Sequence, residues 1–505
     1  MENMAQTSRT EEMLVLIPIL LLLPLLFFIL RHFKILSSPL KSPLVPPGPY
    51  PWPIIGNILQ LGKKPHVTLT QLALNYGPLI SLRLGTTLMV VGSSPVVAKE
   101  ILKTHDRVLS GRHVPSVFAY MSSELNNLSL GWSLECSGRW KFLRTLCRAE
   151  LFSGKALESQ ACLQEKKVMD MVELLGTMEG KVVNIGEVIF ATVFNMLSNV
   201  LLSRDFISLK DESVGGGLKG LIRKLMEVIS APDVSDLFPI LGRFDLQGQK
   251  KKILDLIGSI SFAWADIIKE RRERKGSVVL QEQDFLDVMI DNNFTDKQIN
   301  QLLLELFSAG TETSSSTIVW AMAELIKNLE SMKKVREELV REIKQDVVKE
   351  FHLPQLNYLQ ASVKETLRLH PPAPLLLPHR AIESYQVTSY TIPKDSQVLV
   401  NVWAIGRDPL YWEDPLVFKP ERFLNSALDF KGNDFEFLPF SAGRRICPGL
   451  PMAAKVVPLV LASLIHFFDW SLPHGYDPEK LDMSEKFGVT LKKEQPLYLI
   501  PKVRK

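Results

Sequence analysis

The sequence is organised around residues Phe440–Gly449, which read FSAGRRICPG. Two arginines, Arg444 and Arg445, lie just before Cys447, and cationic neighbours lower the pKa that we expect for its thiol. Pro448 is typical of the first turn of a helix, and a sulfur at a helix N-terminus gains from the helix dipole. Gly443 and Gly449 let the backbone approach a large, flat group. The pattern therefore predicts a thiolate ligand for a metal or a haem iron, whereas a lone cysteine would be read as a buried, inert thiol.

Composition limits the class of protein. An apolar fraction of 46% in 505 residues is ordinary for a globular protein with a large core. The net charge of +4 is too small to indicate nucleic-acid binding. Only four cysteines are present, so if Cys447 binds iron a full disulfide framework is excluded, which fits a reducing compartment.

An apolar run near the N-terminus predicts a membrane anchor. Residues Met13–Leu30 form an uncharged run of 18 residues, which is just long enough to span a bilayer. Basic residues follow the run and acidic residues precede it, so the positive-inside rule leaves the rest of the chain in the cytosol. A cleaved signal peptide is the alternative, but no small-x-small cleavage site follows. We therefore expect an anchor over residues 1–35, a hinge stiffened by prolines over 36–53 and a catalytic domain over 54–505.

The chain carries no nucleotide-binding pattern of its own. Leu79–Val91 alternates enough to predict a β-hairpin that turns near Gly85, which is the start of a small sheet. A strand followed by GxGxxG and a helix occurs nowhere in the sequence. We therefore expect no flavin or nicotinamide site, and any electrons must come from a separate protein.

The longest helical pattern runs from Thr295 to about Asn328, and Thr295 begins it in a capping box with Gln298. At ~1.5 Å per residue this helix would be on the order of 50 Å long. Its middle, residues 309–317, reads AGTETSSST. A glycine costs ~1 kcal/mol there, and hydroxyl side chains compete for backbone carbonyls. Residues that disfavour a helix are expected where a helix carries a functional site. The alternative is an exposed polar turn, but apolar sequence on both sides of the segment argues against a turn.

Two charged pairs are ambiguous by themselves. Trp140 and Arg144 are four residues apart and share a helix face, as a tryptophan packed under an exposed arginine would. Glu365 and Arg368 are three apart in a helix that two prolines stop, and a surface pair worth ~0–1 kcal/mol would explain them.

Together these stretches resemble the cytochrome P-450 haem-thiolate monooxygenases. The loop Phe440–Gly449 has every fixed position of that family's Phe-x-x-Gly-x-Arg-x-Cys-x-Gly pattern. Residues 309–314 match the family's helix I element, and 418–423, FKPERF, resemble the partner segment of its Glu-x-x-Arg pair. The resemblance implies a mainly α fold with small β-sheets (α+β), preceded by a single transmembrane helix, and a bound haem b whose iron Cys447 ligates.

The resemblance also assigns roles to individual residues. Glu312 and Thr313 would serve proton delivery, and Gly310 would give room for oxygen. The haem-binding residues would be Phe440, Gly443, Arg445 and Cys447 on the loop, with Trp140 and Arg144. A buried Glu365–Arg368–Arg422 network would brace that loop. The substrate pocket would be formed by the loop with Val117, Phe118 and Tyr120, and by Ala309, Thr313, Leu375, Leu376, Val489 and Thr490.

Within the family, several stretches are similar to the plant alkaloid-oxidising group of N-methylcoclaurine 3′-hydroxylase, berbamunine synthase and littorine mutase. This similarity implies a single-pass protein of the endoplasmic reticulum membrane, in contact with lipid, whose catalytic domain faces the cytosol. It would use O₂ and electrons from NADPH–cytochrome P-450 reductase to hydroxylate a small hydrophobic metabolite. Exposed basic residues near Cys447 would meet the reductase, with Arg139, Lys141 and Arg148 as candidates.

An alkaloid is the first choice of substrate, since the resemblance favours it. Its cationic amine needs a counter-charge or an aromatic face, and Glu124, near Phe118 in sequence, is a candidate, with a solvated loop acid as the alternative interpretation. Three alternatives stay open: radical rearrangement or phenol coupling of an alkaloid, hydroxylation of a monoterpenol, and a haem-binding sensor without turnover. A sensor has no need for Glu312 and Thr313, so their presence favours an enzyme.

Overall fold

The computed structural model describes residues 44–119, 129–208, 217–274, 283–473 and 476–504, apart from the side chains of Val117 and Ala119. Three features singled out in the sequence lie outside this part of the chain: the apolar run Met13–Leu30, Tyr120 and Glu124.

Most of the described chain is helical, as the sequence predicted. The α-helices are α1 Ile58–Leu61, α2 Pro65–Tyr76, α3 Pro95–Lys99, α4 Asp106–Leu109, α5 Ser116–Ala119, α6 Gly138–Glu150, α7 Gly154–Thr177, α8 Ile185–Leu202, α9 Gly217–Ser230, α10 Val234–Leu237, α11 Gln249–Arg274, α12 Phe285–Asp291, α13 Asp296–Lys327, α14 Leu329–Ile343, α15 Asn357–Leu369, α16 Val402–Ile405 and α17 Leu450–Phe467. Short 3₁₀-helices cover Pro239–Phe244, Glu350–Gln355, Pro420–Phe423, Gly443–Arg445 and Pro478–Lys480, and a π-helical turn covers Glu100–Thr104.

The strands are short and form small sheets beside the helices. They are β1 Leu79–Leu84, β2 Thr87–Gly92, β3 Gly111–Arg112, β4 Val183–Asn184, β5 His379–Arg380, β6 Tyr385–Val387, β7 Tyr390–Ile392, β8 Gln397–Val400, β9 Phe468–Ser471, β10 Glu485–Lys486, β11 Lys492–Lys493 and β12 Tyr498–Val503. The largest sheet has the order β1-β2-β8-β5-β3; the others are β4-β12-β9, β6-β7 and β10-β11.

The hairpin predicted over Leu79–Val91 is confirmed. Strands β1 and β2 pair antiparallel, from Leu79 opposite Gly92 to Leu84 opposite Thr87. Gly85 turns the chain with φ +55°, and a Cβ there would lie 2.3 Å from the carbonyl oxygen of Leu237. Glycine is therefore required on two grounds, the left-handed backbone and the close approach of the α10 segment.

Helix α13 crosses the core and positions the centre of the molecule. Thr295 and Gln298 form the predicted capping box. The hydroxyls of its middle bond back to carbonyls one turn earlier, as Ser315 does to Thr311 and Thr317 to Thr313, so the helix continues through the AGTETSSST segment without interruption. Helices α8 and α17 pack along it, and their apolar side chains join the two large core clusters.

Two described helices, α8 and α17, are apolar and long enough to cross a membrane, but 83% and 56% of these segments are buried inside the protein, as in core helices. Helix α17 continues through the buried Pro458, which no contact in the structure explains. The end of the proline-rich hinge lies against the sheet, where the carbonyl oxygens of Pro46 and Pro47 accept hydrogen bonds from Ser81. This segment is therefore bound to the catalytic body.

Candidate active site

A cavity of about 360 Å³ lies between helix α13 and the loop that carries Cys447. Residues predicted for one site, although far apart in sequence, line it together: Phe118, Arg144, Ala309, Thr313, Leu376, Phe440, Arg445, Cys447, Val489 and Thr490. The cavity is closed on its other sides mainly by apolar residues from α8, α9, α11 and α17. Such a cavity, with few polar groups, suits a bulky ligand that burial holds.

The Cys447 loop is held in one shape by its backbone. The backbone N–H of Cys447 donates to the carbonyl oxygen of Phe440 at 2.9 Å, which closes the loop around the 3₁₀ turn at Gly443. Gly443 has φ +65°, and a Cβ there would lie 1.9 Å from the carbonyl oxygen of Leu102. The predicted close approach at Gly443 is therefore to the protein's own π-helical turn, and Gly443 does not line the cavity.

The thiol of Cys447 faces the internal cavity, with protein around it. Burial raises the pKa of Cys447, while hydrogen bonds from the backbone N–H groups of Gly449 and Leu450 and the charge of Arg144 act in the opposite direction. Helix α17 begins at Leu450, so its first N–H groups reach the sulfur as predicted, and its first-turn proline is Pro451 rather than Pro448.

The arginines that precede Cys447 do not act as expected. Arg444 is exposed and pairs with Asp106 at 3.2 Å. Arg445 turns away and donates to the carbonyl oxygens of Ser110 at 3.0 Å and Ser133 at 2.6 Å. The cation that favours the thiolate is Arg144, which also donates to the carbonyl oxygen of Ile446. Tertiary structure, and not sequence proximity, supplies this charge.

Three arginines meet at the loop end of the cavity: Arg112, Arg144 and Arg445. Burial lowers the pKa of each, that of Arg112 to about 9, and repulsion by Arg144 adds to this effect at Arg112 and at Arg445. None has a carboxylate partner within the described ranges, and Nη1 of Arg445 is buried without a hydrogen-bond partner. Unpaired buried donors of one sign call for an anion. The cluster beside a thiol fits a haem, whose carboxylates the arginines would hold while Cys447 ligates the iron.

Trp140 supports this cluster from behind. It lies outside the cavity lining, and its Nε1–H donates to the carbonyl oxygen of Leu130 at 3.0 Å. The guanidinium groups of Arg445 and Arg144 lie 4.7 and 5.4 Å from its ring centre. The expectation that Trp140 itself contacts a haem carboxylate stays a prediction; in this structure its one donor is used within the protein, and its ring lies against the arginines.

The centre of α13 divides its polar groups between two sides. Thr313 lines the cavity, and its hydroxyl donates to the carbonyl oxygen of Ala309 at 2.7 Å. Glu312 points away and pairs with Lys492 of β11 at 2.5 Å, although its own side chain is only 4% exposed. A Cβ on Gly310 would lie 3.0 Å from Leu197 of α8, so glycine here also serves helix packing.

Glu365, Arg368 and Arg422 meet in a buried network. Two hydrogen bonds of 2.7 Å join Arg368 to Glu365, and Arg422 reaches the same carboxylate at 3.2 Å. Both Glu365 and Arg368 have fully buried side chains, so the surface-pair interpretation is wrong. Arg368 also donates to the carbonyl oxygens of Gly406 and Pro415, and so ties α15 to the segment that leads to Cys447.

One predicted pocket residue lies outside the cavity, and three titratable residues of its lining were missed. Leu375 joins an apolar cluster with Leu69 and Ile80, whereas Leu376, predicted with it, lines the cavity. Arg112, His379 and Glu305 line the cavity, and no local pattern singled them out. Burial lowers the pKa of His379 to about 3 and keeps the ring neutral.

Comparison with known proteins agrees with this geometry. The model of the cytochrome P450 family matches residues 46–500. (S)-N-methylcoclaurine 3′-hydroxylase isozyme 1 of Papaver somniferum is 51% identical over 91% of this chain and 95% of its own length. A probable isozyme 2 of that hydroxylase from Coptis japonica is 50% identical over 95% of this chain and 96% of its own. Corytuberine synthase of Coptis japonica is 45% identical over 94% of this chain and 96% of its own length.

Proposed function

Because the chain belongs to the cytochrome P450 family, and so is a haem-dependent monooxygenase, we propose that its substrate is a benzylisoquinoline or related alkaloid, which it hydroxylates. The observation that carries the proposal is the similarity, near half of all residues over nine-tenths of the chain, to enzymes named as hydroxylases of (S)-N-methylcoclaurine. The cavity supports it, since its lining is mainly apolar and suits a bulky ring system that burial holds.

Each group around the cavity then has a role. Cys447 ligates the haem iron, and Arg112, Arg144 and Arg445 hold the haem carboxylates. The bound haem supplies the activation of O₂, which no amino-acid side chain can perform. The chain's own part is to position the substrate against Ala309 and Thr313 and to keep water out with the surrounding apolar side chains.

In this proposal Glu312 and Thr313 deliver protons to the cavity. The side chain of Lys492 is 42% exposed and pairs with the buried Glu312, and the next residue, Thr313, lines the cavity. A hydroxyl with a carboxylate behind it can relay a proton. We expect Thr313→Ala to bind substrate as before but to divert reducing equivalents to peroxide, which measurement of NADPH consumed per product formed would detect.

Electrons come from a separate NADPH–cytochrome P450 reductase in this proposal. Helix α6 presents exposed Arg139, Lys141 and Arg148 on the side of the molecule where its Arg144 reaches the Cys447 loop. An acidic partner domain would meet this face, and salt would weaken the contact because exposed charges are screened beyond ~8–10 Å at physiological ionic strength. The apolar run Met13–Leu30 would hold the protein in the endoplasmic reticulum membrane next to that reductase.

Product analysis tests the proposal. The purified protein, reconstituted with reductase and NADPH, is offered benzylisoquinolines, other alkaloids and monoterpenols, and products are identified by mass. We expect a hydroxylated benzylisoquinoline, with an added mass of one oxygen. Turnover of monoterpenols alone would contradict the alkaloid assignment.

Phenol coupling is a second candidate, and one observation favours it: a relative with 45% identity is named corytuberine synthase. A coupled product would carry no added oxygen and would have lost two hydrogens, so the same mass measurement separates the two reactions. Radical fate depends on how the substrate lies in the cavity, which is a matter of pose rather than of residue type.

A further inference from the structure

Glu305 is a buried acid that the reaction outlined above does not use. It lies on α13 one turn before Ala309 and lines the same cavity as Cys447 and Thr313. Among the described residues that line this cavity, it is the one carboxylate, beside Arg112, Arg144, Arg445 and the neutral His379. An acid in an otherwise apolar and cationic cavity needs a reason, because burying a charge costs free energy unless it is paired.

Every hydrogen-bond donor that reaches Glu305 is neutral. Its Oε2 accepts from the backbone N–H of Leu130 at 2.8 Å and of Gly131 at 3.4 Å, and its Oε1 accepts from the amide of Gln301 at 2.9 Å. Burial raises the pKa of Glu305, while these bonds and one from the Ser129 hydroxyl act in the opposite direction. Nothing in the described surroundings neutralises the charge.

The other acids of α13 provide a comparison within one helix. Asp296 pairs with Arg272 at 2.7 Å, Glu312 with Lys492 at 2.5 Å and Glu324 with His370 at 2.7 Å. Glu305 has no ion pair in the part of the chain that the structure describes. Because Glu305 lines the cavity, a cation bound there is able to reach the carboxylate from that side.

Two aromatic rings line the same cavity as the carboxylate. Trp132 follows directly after Gly131, whose N–H Glu305 accepts, and the Trp132 ring stacks on Phe118 at 4.3 Å between centres. A cavity lined by a carboxylate and aromatic faces is a favourable environment for a protonated alkylamine, which gains from charge pairing and from cation–π attraction when it leaves water.

From these contacts we infer that Glu305 is the counter-charge for a protonated amine of the substrate and so determines specificity for amines over neutral compounds. The inference rests on the proposed function and deepens it by naming the group that recognises the alkaloid nitrogen. The three arginines at the loop end of the cavity are assigned to the haem carboxylates, so Glu305 is the carboxylate of the lining that stays available to an amine.

The position of Glu305 also limits where oxidation takes place. Residues 305, 309 and 313 recur every four positions, so they lie on one face of α13, and at ~1.5 Å rise per residue Glu305 and Thr313 are about 12 Å apart along the axis. A substrate whose nitrogen is held at Glu305 presents a remote part of its ring system to the reacting end. Hydroxylation of a distant ring, and not loss of the N-methyl group, is the expected outcome.

The test compares two ligands of similar shape, one that carries a positive charge and one that is neutral. The ferric full-length enzyme is titrated with an N-methyl benzylisoquinoline and with the N-formyl amide of the same ring system, and binding is followed by the spin-state change of the haem. In Glu305→Gln, which keeps an oxygen acceptor for Leu130 and Gly131 but removes the charge, we expect amine affinity to fall at least tenfold. Affinity for the neutral amide should stay within about twofold.

Two controls keep the result interpretable. Asp296→Asn removes an exposed charge from the same helix and should change neither affinity, and Glu305→Asp should retain the preference for the amine. An unchanged ratio of amine to amide affinity in Glu305→Gln, or an equal loss of both, would overturn the inference. Glu305 would then have only a structural role, in which it holds the Leu130 segment by hydrogen bonds. Wild-type enzyme that neither binds nor oxidises any benzylisoquinoline would instead refute the proposed function.

Discussion

Single residues in this protein take their properties from neighbours that are distant in sequence. The charge of Arg144, and not that of Arg444 three residues away in sequence, favours the Cys447 thiolate. Glu312 pairs with Lys492, which lies on a strand near the C-terminus. In both cases charge acts through space over a few ångströms, so the local motif identifies the reactive residue but not the group that tunes it.

Cys447 allows a direct residue-scale prediction. Cys447→Ser should lose the thiolate-type absorption near 450 nm of the reduced CO complex, because a serine oxygen donates less electron density to the iron than a thiolate does. Cys162→Ser, at an exposed cysteine elsewhere in the chain, is the matched control and should keep the absorption. A retained thiolate spectrum in Cys447→Ser would rule out Cys447 as the iron ligand.

The network around Glu365 allows a second residue-scale prediction. Glu365→Gln leaves Arg368 buried with its charge uncompensated, and loss of one partner from such a pair costs ~3–5 kcal/mol. We expect thermal loss of the haem spectrum many degrees below that of the wild type. Glu337→Gln, which changes an exposed acid on α14, should leave the transition where it was. Equal transitions for the two variants would show that the network contributes little.

At the scale of elements, the packing of one backbone against another decides which motif residues are irreplaceable. The Cys447 loop crosses the π-helical turn Glu100–Thr104 so closely that Gly443 has no room for a side chain. Helix α13 meets α8 at Gly310, where the neighbour is the end of a leucine side chain that can move. The two glycines look alike in sequence and differ in what they face.

Gly443→Ala should therefore be far more damaging than its small size suggests. The new Cβ would stand 1.9 Å from the carbonyl oxygen of Leu102, and the left-handed backbone adds strain of its own, ~1–3 kcal/mol. We expect little or no haem-loaded protein on expression, measured as spectral yield per total protein. Gly138→Ala, at the start of α6, has open space around its Cβ and should express normally. A normal yield from Gly443→Ala would mean that the loop can move away from Leu102.

For the whole molecule, one side carries exposed apolar residues contributed by separate segments. Thr86 donates to the carbonyl oxygen of Leu237, and this bond brings the segment with Ile240, Phe244 and Leu246 to the turn between β1 and β2. A bridge from Gly56 to Leu84 brings Trp52 and the neighbouring hinge residues to the same turn. Large exposed apolar patches mark contact with another apolar phase.

This patch predicts two-step release from membranes. Deleting residues 1–34 should release only part of the protein and keep the haem bound, because the patch still contacts lipid. Adding Ile240→Ser, Phe244→Ser and Leu246→Ser should make it fully extractable by high salt. The control adds Leu410→Ser, Leu416→Ser and Phe351→Ser, which are as exposed but lie in other segments, and should release no more than the deletion alone. Equal release by both triple variants would exclude a specific lipid-facing side.

The sequence alone determined the features that depend on local rules. Hydrophobic periodicity, capping residues and a turn glycine were enough for α13 and the β1–β2 hairpin, and the FSAGRRICPG pattern was enough to mark the thiolate loop. Only the tertiary structure decided which side chains face the cavity, because that depends on how helices and loops distant in sequence pack. That packing places Leu375 outside the cavity and brings Arg112 to the arginine cluster and Glu305 to the cavity lining. The burial of a side chain and the charges around it depend on all of its neighbours in space, and many of these neighbours are distant in sequence.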